Sequence, residues 1–236
     1  MGNKLAILQS NYIPWKGYFD LINEVDIFVF YDTVKYTKND WRNRNIIYTK
    51  NGKQWLSIPI EASAVNLQIN EVEIKNESWQ ELHFKSLYFG YKKAPYFYQL
   101  EEFLNDYLVE KKWDKLSQLN QYLIVEISKK MGITTQFKKA EDFNLTGDRI
   151  ERLVSLINQN DASIYISGPS AKDYLNGNEN LFKEANIELL YKSYPAYPTY
   201  EQLSKPFENS VSILDLIANV SWNNIPEYIW SNKLEK

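Results

Sequence analysis

The chain of 236 residues contains no cysteine and a single histidine, His83. The first absence removes disulfides, thiolate nucleophiles and cysteine-held zinc or iron–sulfur centres. The second removes the zinc motifs that need two imidazoles. A metal could then bind only through oxygen ligands, and no dense Asp/Glu run offers them, so none is expected. Long apolar runs are missing too: nothing approaches the ~20 residues of a membrane helix, and no membrane insertion is expected. Met1-Gly2-Asn3-Lys4 lacks the apolar stretch and cleavage site of a signal peptide. Ala6 stands where a myristoylation signal requires Ser or Thr. A cytoplasmic protein is the expectation.

What is present is a chain 44% apolar, ample for a core, with a net charge of −3. An acidic surface argues against nucleic acid as a partner. Yet residues 34–53 carry Lys35, Lys38, Arg42, Arg44, Lys50 and Lys53 against Asp40 alone. Such a patch suits a small phosphate-bearing ligand, and it equally suits a solvated hairpin face.

The pattern of elements is α/β: a mostly parallel sheet with flanking helices, a β-hairpin and a central helical insertion. Lys4–Gln9 and Ile27–Tyr31 read as strands around a Pro/Gly loop and a helix over Tyr18–Asn23, a compact β-loop-α-β unit. Asn51-Gly52 predicts a tight hairpin turn between Asn45–Thr49 and Gln54–Ile60. Leu67–Ile74 alternates well enough to suggest another strand. Helices are predicted over Trp79–Tyr91 with Ser78 as cap, from Pro95 in a first turn, and over Lys115–Met131, ending at Gly132. Alternation then resumes with a strand near Gln136–Lys139 and a helix over Asp148–Asn158 capped by Thr146. A strand over Ser163–Ser167, a helix from Ala171 and a strand over Ile187–Tyr191 follow. Residues 193–207, rich in Tyr and Pro, read as an ordered loop. The organisation expected is an N-terminal unit with hairpin (1–75), a helical insertion (76–132) and a C-terminal part (133–236) completing the first.

Candidate ligand-binding groups gather past the carboxyl ends of the first two strands, where open α/β sheets bind ligands. Gln9 and Asn11 offer directional hydrogen bonds, and Tyr12, Trp15 and Tyr18 offer rings for a base or sugar; the same aromatics would also pin the loop by burial. Asp32 suits a ribose or an amine, or a turn. If Trp41–Asn45 is extended, Arg42 and Arg44 share one face and fit a diphosphate, while Asn43 and Asn45 share the other. Lys35 belongs to the same basic patch. Ser167-Gly168-Pro169-Ser170, between a strand and a helix, offers backbone amides to an oxyanion, or simply a capped tight turn; neither a Walker loop nor a nucleophile elbow is present. Tyr174, Tyr200, Gln202, Asp215 and Asn219 complete the binding candidates. For catalysis the candidates are His83, whose unperturbed pKa suits proton transfer, and Asp173. Flanked by apolar residues on a helix, His83 also fits a structural role.

Three segments together resemble the WbqC-like family of bacterial proteins. They are Leu8-Gln9-Ser10-Asn11-Tyr12-Ile13-Pro14-Trp15-Lys16-Gly17-Tyr18-Phe19 with Trp41-Arg42-Asn43-Arg44-Asn45; Tyr165-Ile166-Ser167-Gly168-Pro169-Ser170-Ala171-Lys172-Asp173-Tyr174-Leu175; and Tyr197-Pro198-Thr199-Tyr200-Glu201-Gln202 through Phe207 to Ser212-Ile213-Leu214-Asp215-Leu216. The resemblance implies work on a nucleotide-linked sugar for O-antigen or another surface polysaccharide. Modification of an amino sugar by N-acyl or aminoacyl transfer is the leading expectation, with acyl-CoA or ATP as cosubstrate. A weaker resemblance is to nucleotidylyltransferases of the H-x-G-H type, but Trp15-Lys16-Gly17-Tyr18 has neither histidine. That route, and a non-catalytic nucleotide-sugar-binding protein, stand as alternatives; a homodimer stays open.

Overall fold

Strand β1 (Asn3–Leu8) lies inside a six-stranded sheet because both of its faces are covered. The structure is a computed structural model that describes residues 2–75, 78–194, 196–231 and 234–235. The first residues of the predicted insertion, 76 and 77, and residue 195 of the Tyr/Pro-rich loop therefore lie outside the description. Helix α1 (Lys16–Asn23) leads to β2 (Ile27–Phe30), which pairs parallel to β1 with Leu5 opposite Ile27 and Leu8 opposite Phe30. On the other side β1 pairs parallel with β6 (Ala162–Ser167), Leu5 facing Tyr165. With β5 (Gln136–Lys139), β7 (Glu188–Lys192) and β8 (Leu234–Glu235) the order becomes β5-β2-β1-β6-β7-β8. All neighbours are parallel except β8, which runs antiparallel to β7.

Alternation along the strands divides the core into two layers. Ala6, Phe28, Phe30 and Ile166 join one apolar cluster, and Leu5, Ile7, Ile27, Val29 and Tyr165 join the other. The first layer takes α1, the three central helices α2 (Trp79–Tyr91), α3 (Phe97–Asn105) and α4 (Leu116–Lys130), and α8 (Ile213–Asn219). The second takes α5 (Arg149–Gln159), α6 (Lys172–Leu175) and α7 (Glu179–Glu184). This is an α/β architecture with a mostly parallel sheet. A separate antiparallel hairpin, β3 (Arg44–Thr49) and β4 (Gly52–Ser57), turns through Lys50-Asn51, with Gly52 at φ +92°. The central helices are stitched to the remainder: the buried Gln99 amide donates to the carbonyls of Ile217 (2.6 Å) and Val220 (2.7 Å).

Several local expectations fail for identifiable reasons. Leu67–Ile74 is not a strand: 3₁₀ turns cover Ala62–Asn66 and Ile69–Glu71, and Ile69 and Val72 are buried across a turn rather than along a pleat. Residues 41–43 form a turn, so Trp41–Asn45 is not extended and the strand begins only at Arg44. Asp148, not Thr146, caps α5, accepting from the amides of Ile150 and Glu151 in a capping box with Glu151. Ser78 makes no side-chain capping bond, and Pro95 precedes α3, whose cap is Tyr96.

The chain leaves β1 toward β2 on one side and places β6 on the other, with α1 and α6–α7 on opposite faces. In open α/β sheets such a reversal leaves room for a ligand beyond the carboxyl ends of the strands, and here the loop that follows β1 lies at that edge.

Candidate functional site

A cleft of about 250 Å³ opens beside the β1–α1 loop, lined by Asn11, Pro14, Trp15, Trp41, Asn45 and Ser210. The loop owes its shape to Asn45, whose buried amide donates to the carbonyls of Tyr12 (3.0 Å) and Ile13 (2.9 Å). Between them Ile13 adopts φ +37°, a conformation that a β-branched residue rarely takes and that only surrounding structure can impose. Trp15 folds back over the first turn of α1; a Cβ on Gly17 would meet its indole at 2.2 Å, so glycine is required there. Tyr194 and Tyr197 hold the same indole edge-on, at 5.2 and 6.0 Å between ring centres. The opposite wall, Trp41, is fixed through its backbone, with Tyr12 N–H donating to its carbonyl at 2.9 Å.

Behind the cleft the structure brings together Gln9, Asn11, Tyr18, Asp32 and Arg42. The Arg42 guanidinium donates to Asn11 Oδ1 and to Gln9 Oε1 (3.2 Å) and lies 3.7 Å from Asp40. With its Oδ1 so engaged, what Asn11 has left for a ligand is its Nδ2 donor pair. Tyr18 hydroxyl donates to the Gln9 carbonyl at 2.9 Å. Asp32 is buried and accepts from Ser10 N–H and from Gln121 Nε2, both at 2.8 Å. Burial pushes its carboxyl above the ordinary value, while Ser10, Gln121 and the Arg42 charge hold it down. Gln121 and Asn120, whose Nδ2 donates to the Arg42 carbonyl at 2.8 Å, both come from α4. Neither was singled out from sequence. Their signal was nonetheless there: Leu116, Leu119, Asn120, Leu123 and Ile127 fall on one helical face, and a polar residue on that face needs a partner.

Other candidates lie elsewhere. Arg44 does not join Arg42: its guanidinium stacks over Trp55 at 4.3 Å and donates to the Asn39 carbonyl at 2.5 Å. The single-faced pair of guanidinium forks is thereby corrected, because the turn at 41–43 breaks strand alternation between them. Asn43 donates to the Ile58 carbonyl at 3.0 Å, and Lys35 is exposed on a bridge to Gln68. His83 is buried against Trp79, between Tyr12 hydroxyl (2.8 Å from Nδ1) and the Ser57 carbonyl (3.2 Å from Nε2). Nε2–H donates to Ser57, so Nδ1 accepts from Tyr12, and burial lowers the pKa to about 4. Neither ring nitrogen is left for a substrate, and the residue is not in the cleft lining. Asp173 is exposed on α6 and Tyr174 lies beneath the Arg149 guanidinium at 3.5 Å; neither lines the cleft. Ser167 is buried with its hydroxyl 3.2 Å from that of Tyr165, and Gly168 and Ser170 bracket Pro169 in a short turn, also outside the lining.

A second polar cluster sits next to Ser210. Asp215, buried, accepts from Tyr200 hydroxyl (2.6 Å) and Gln202 Nε2 (2.7 Å), and Asn219 Nδ2 donates to its backbone carbonyl. Facing it is Lys16, missed from sequence, whose buried ammonium has no hydrogen-bond partner. The rings of Tyr197, Tyr200 and Phe207 surround it at 5.0, 5.5 and 5.9 Å. Burial lowers Lys16 to about 8 despite the Asp215 charge, and burial raises Asp215. Among the described residues no three His, Asp or Glu side chains gather as metal ligands. None of the described helices is long and apolar enough to cross a membrane.

Comparison with known proteins places these motifs in context. A family model described as the WbqC-like protein family matches residues 9–227. An uncharacterized protein of Mycobacterium tuberculosis (strain ATCC 25618 / H37Rv), Rv1507c, is 41% identical over 227 residues, spanning 96% of this chain and 97% of its own length. No solved structure matches the chain.

Proposed function

Because the chain belongs to the WbqC-like family, we propose that it modifies a nucleotide-linked amino sugar destined for a surface polysaccharide, by N-acyl or aminoacyl transfer to the sugar amine. The observation that carries this reading is the cleft itself. Two indoles, Trp15 and Trp41, face a small space floored by amides, and a fixed guanidinium stands behind Asn11. Apolar walls with a few placed polar groups are what orient a small polar ring. In the transfer step the amine nitrogen attacks the acyl carbonyl, a C–N bond forms, and the bond to the donor's thiol or adenylate breaks. The amine proton passes to a base or to water. The donor is acyl-CoA, or an amino acid activated by ATP.

A second reading, a nucleotide-sugar-binding protein without chemistry, draws support from one observation: neither His83 nor Asp173 lines the cleft. The two separate in one experiment. The protein is titrated with UDP-, dTDP-, GDP- and CMP-linked amino sugars, and amine loss is then followed with acyl-CoA, or with amino acid plus ATP. Binding with amine loss is expected. Binding without turnover under either condition would remove the transferase, and binding of none of these sugars would remove both readings. Pyrophosphate release from a nucleoside triphosphate and a sugar phosphate alone would instead mark a nucleotidyltransferase.

A further inference from the structure

Trp41 has a neighbour that takes no part in the network behind the cleft. Its indole lies 5.6 Å from that of Trp55, centre to centre, with 30° between the planes. The two residues remain 44% and 46% exposed, and among the other described aromatics only Phe89 and Tyr98 are exposed to a comparable degree. Arg44 stacks on Trp55 at 4.3 Å and is itself tied to the Asn39 carbonyl. The result is a shelf of two indoles backed by a guanidinium, continuous with the cleft through Trp41.

The shelf is rigid. Trp41 N–H donates to Asp40 Oδ1 at 2.7 Å, and the Asp40 carboxylate is held by Thr37 hydroxyl at 2.6 Å. Trp41 carbonyl accepts from Tyr12, Arg42 carbonyl from Asn120, and Asn43 carbonyl from Ile58 at 2.8 Å. Trp55 stands on β4 opposite Ile46. Every link of the backbone between the shelf and the cleft is thus fastened to another element. Exposed indoles on so fixed a surface are preorganised for contact rather than left over from a loose loop.

Size decides what the shelf can hold. A cleft of about 250 Å³ falls below the ~300 Å³ at which ligand pockets begin, so it takes one ring and not a whole nucleotide-linked sugar. The other ring must rest outside, on surface that borders the cleft. A sugar ring presents hydroxyls that need partners, which Asn11 and Ser210 offer from the cleft. A nucleobase has a π-face that stacks whatever its edge pattern, which is what bare indoles offer. Arg42 behind Asn11 and Arg44 against Trp55 place positive charge beside both ring sites, which favours the phosphates that join the two rings.

We infer that Trp41 and Trp55 form a nucleobase-stacking subsite, with the sugar of the same ligand in the Trp15–Trp41 cleft. The inference rests on the proposed nucleotide-sugar reading and assigns the two ends of that ligand.

The test compares wild type, Trp55→Ala and Trp55→Phe by calorimetric titration. The probes are the best-binding nucleotide-linked sugar and the corresponding sugar 1-phosphate, which lacks the base. Trp55 is exposed, and circular dichroism checks that each variant keeps the wild-type fold. Stacking on one base supports a loss of roughly 10-fold or more in Trp55→Ala for the nucleotide-linked sugar. The sugar 1-phosphate should bind all three proteins equally, and Trp55→Phe should recover part of the lost affinity. The inference is overturned if Trp55→Ala binds the nucleotide-linked sugar as wild type does, or loses the sugar 1-phosphate in equal measure. Wild-type protein that binds sugar 1-phosphates and gains nothing from the nucleotide overturns the subsite while leaving a sugar cleft. Failure of wild type to bind either probe removes the proposed function itself.

Discussion

His83 shows how one residue's surroundings decide between chemistry and structure. Its imidazole bridges Tyr12, in the loop that shapes the cleft, to Ser57 at the end of β4. As a neutral ring it fits both partners; as a cation it would have to turn Tyr12 from donor to acceptor in a dry site. The folded value of about 4 lies below the ordinary 6.5, so the unfolded chain takes up the proton first as pH falls. Stability from this group is therefore full above about pH 6.5 and is lost progressively as pH falls toward 4. The gap corresponds to on the order of 3 kcal/mol. Urea denaturation of wild type at pH 7 and pH 4.5 should show this loss, and His83→Gln, although weaker at pH 7, should show a smaller drop between the two. An equal drop in both proteins would assign the acid sensitivity to other groups.

At the scale of elements, α4 is the support of the site rather than a neighbour of it. Gln121→Leu keeps the helix and its volume but leaves an Asp32 oxygen buried without its donor. A loss of about 1–3 kcal/mol is expected at pH 7. Without the amide Asp32 is driven further above its ordinary value, so the difference from wild type should be larger at pH 7 than at pH 4, where a protonated carboxyl needs the donor less. A difference independent of pH would assign the effect to packing alone. The same helix marks the limit of what sequence shows. Strands β1, β2 and β6 and helices α2 and α4 were legible because their apolar periods run uninterrupted and their ends carry turn residues. The loop residues Asn11 and Trp15 were legible because they follow a buried strand. Arg44 was misjudged because the turn at 41–43 carries no glycine or proline to announce it, and that turn decides which way each guanidinium points. Lys16 was missed because its meaning depends on Tyr197, Tyr200, Phe207 and Asp215, some 180 to 200 positions away, which only the tertiary fold brings around it.

At the scale of the whole molecule, a buried ion cluster ties α1, which starts at one wall of the cleft, to elements distant in sequence. Lys192, with no exposed side-chain surface, lies 3.0 Å from Asp20 and 3.3 Å from Glu24 and so joins the end of β7 to α1. Asp20 also accepts from Tyr197 hydroxyl at 2.7 Å and from Ser231 N–H at 3.1 Å, which brings in the Tyr/Pro-rich loop and the C-terminal segment. Tyr197 in turn packs on Trp15 and lies beneath the Lys16 ammonium, so the cluster reaches the cleft wall through this residue. Buried ions of this kind add little net stability when all partners are present, but removing one partner strands the others without water or countercharge. Lys192→Met should therefore destabilise by about 3–5 kcal/mol, or on the order of 10 °C in Tm for a chain of this size. Asp20→Asn in the Lys192→Met background should recover part of that loss, because it removes one stranded charge while keeping acceptor and donor atoms for Tyr197 and Ser231. Thermal denaturation of the two single variants and the double variant measures the coupling. Strictly additive losses would show that Lys192 acts through its aliphatic packing, and the cluster would then cease to explain how β7, α1 and the Tyr197 loop hold one position around the cleft.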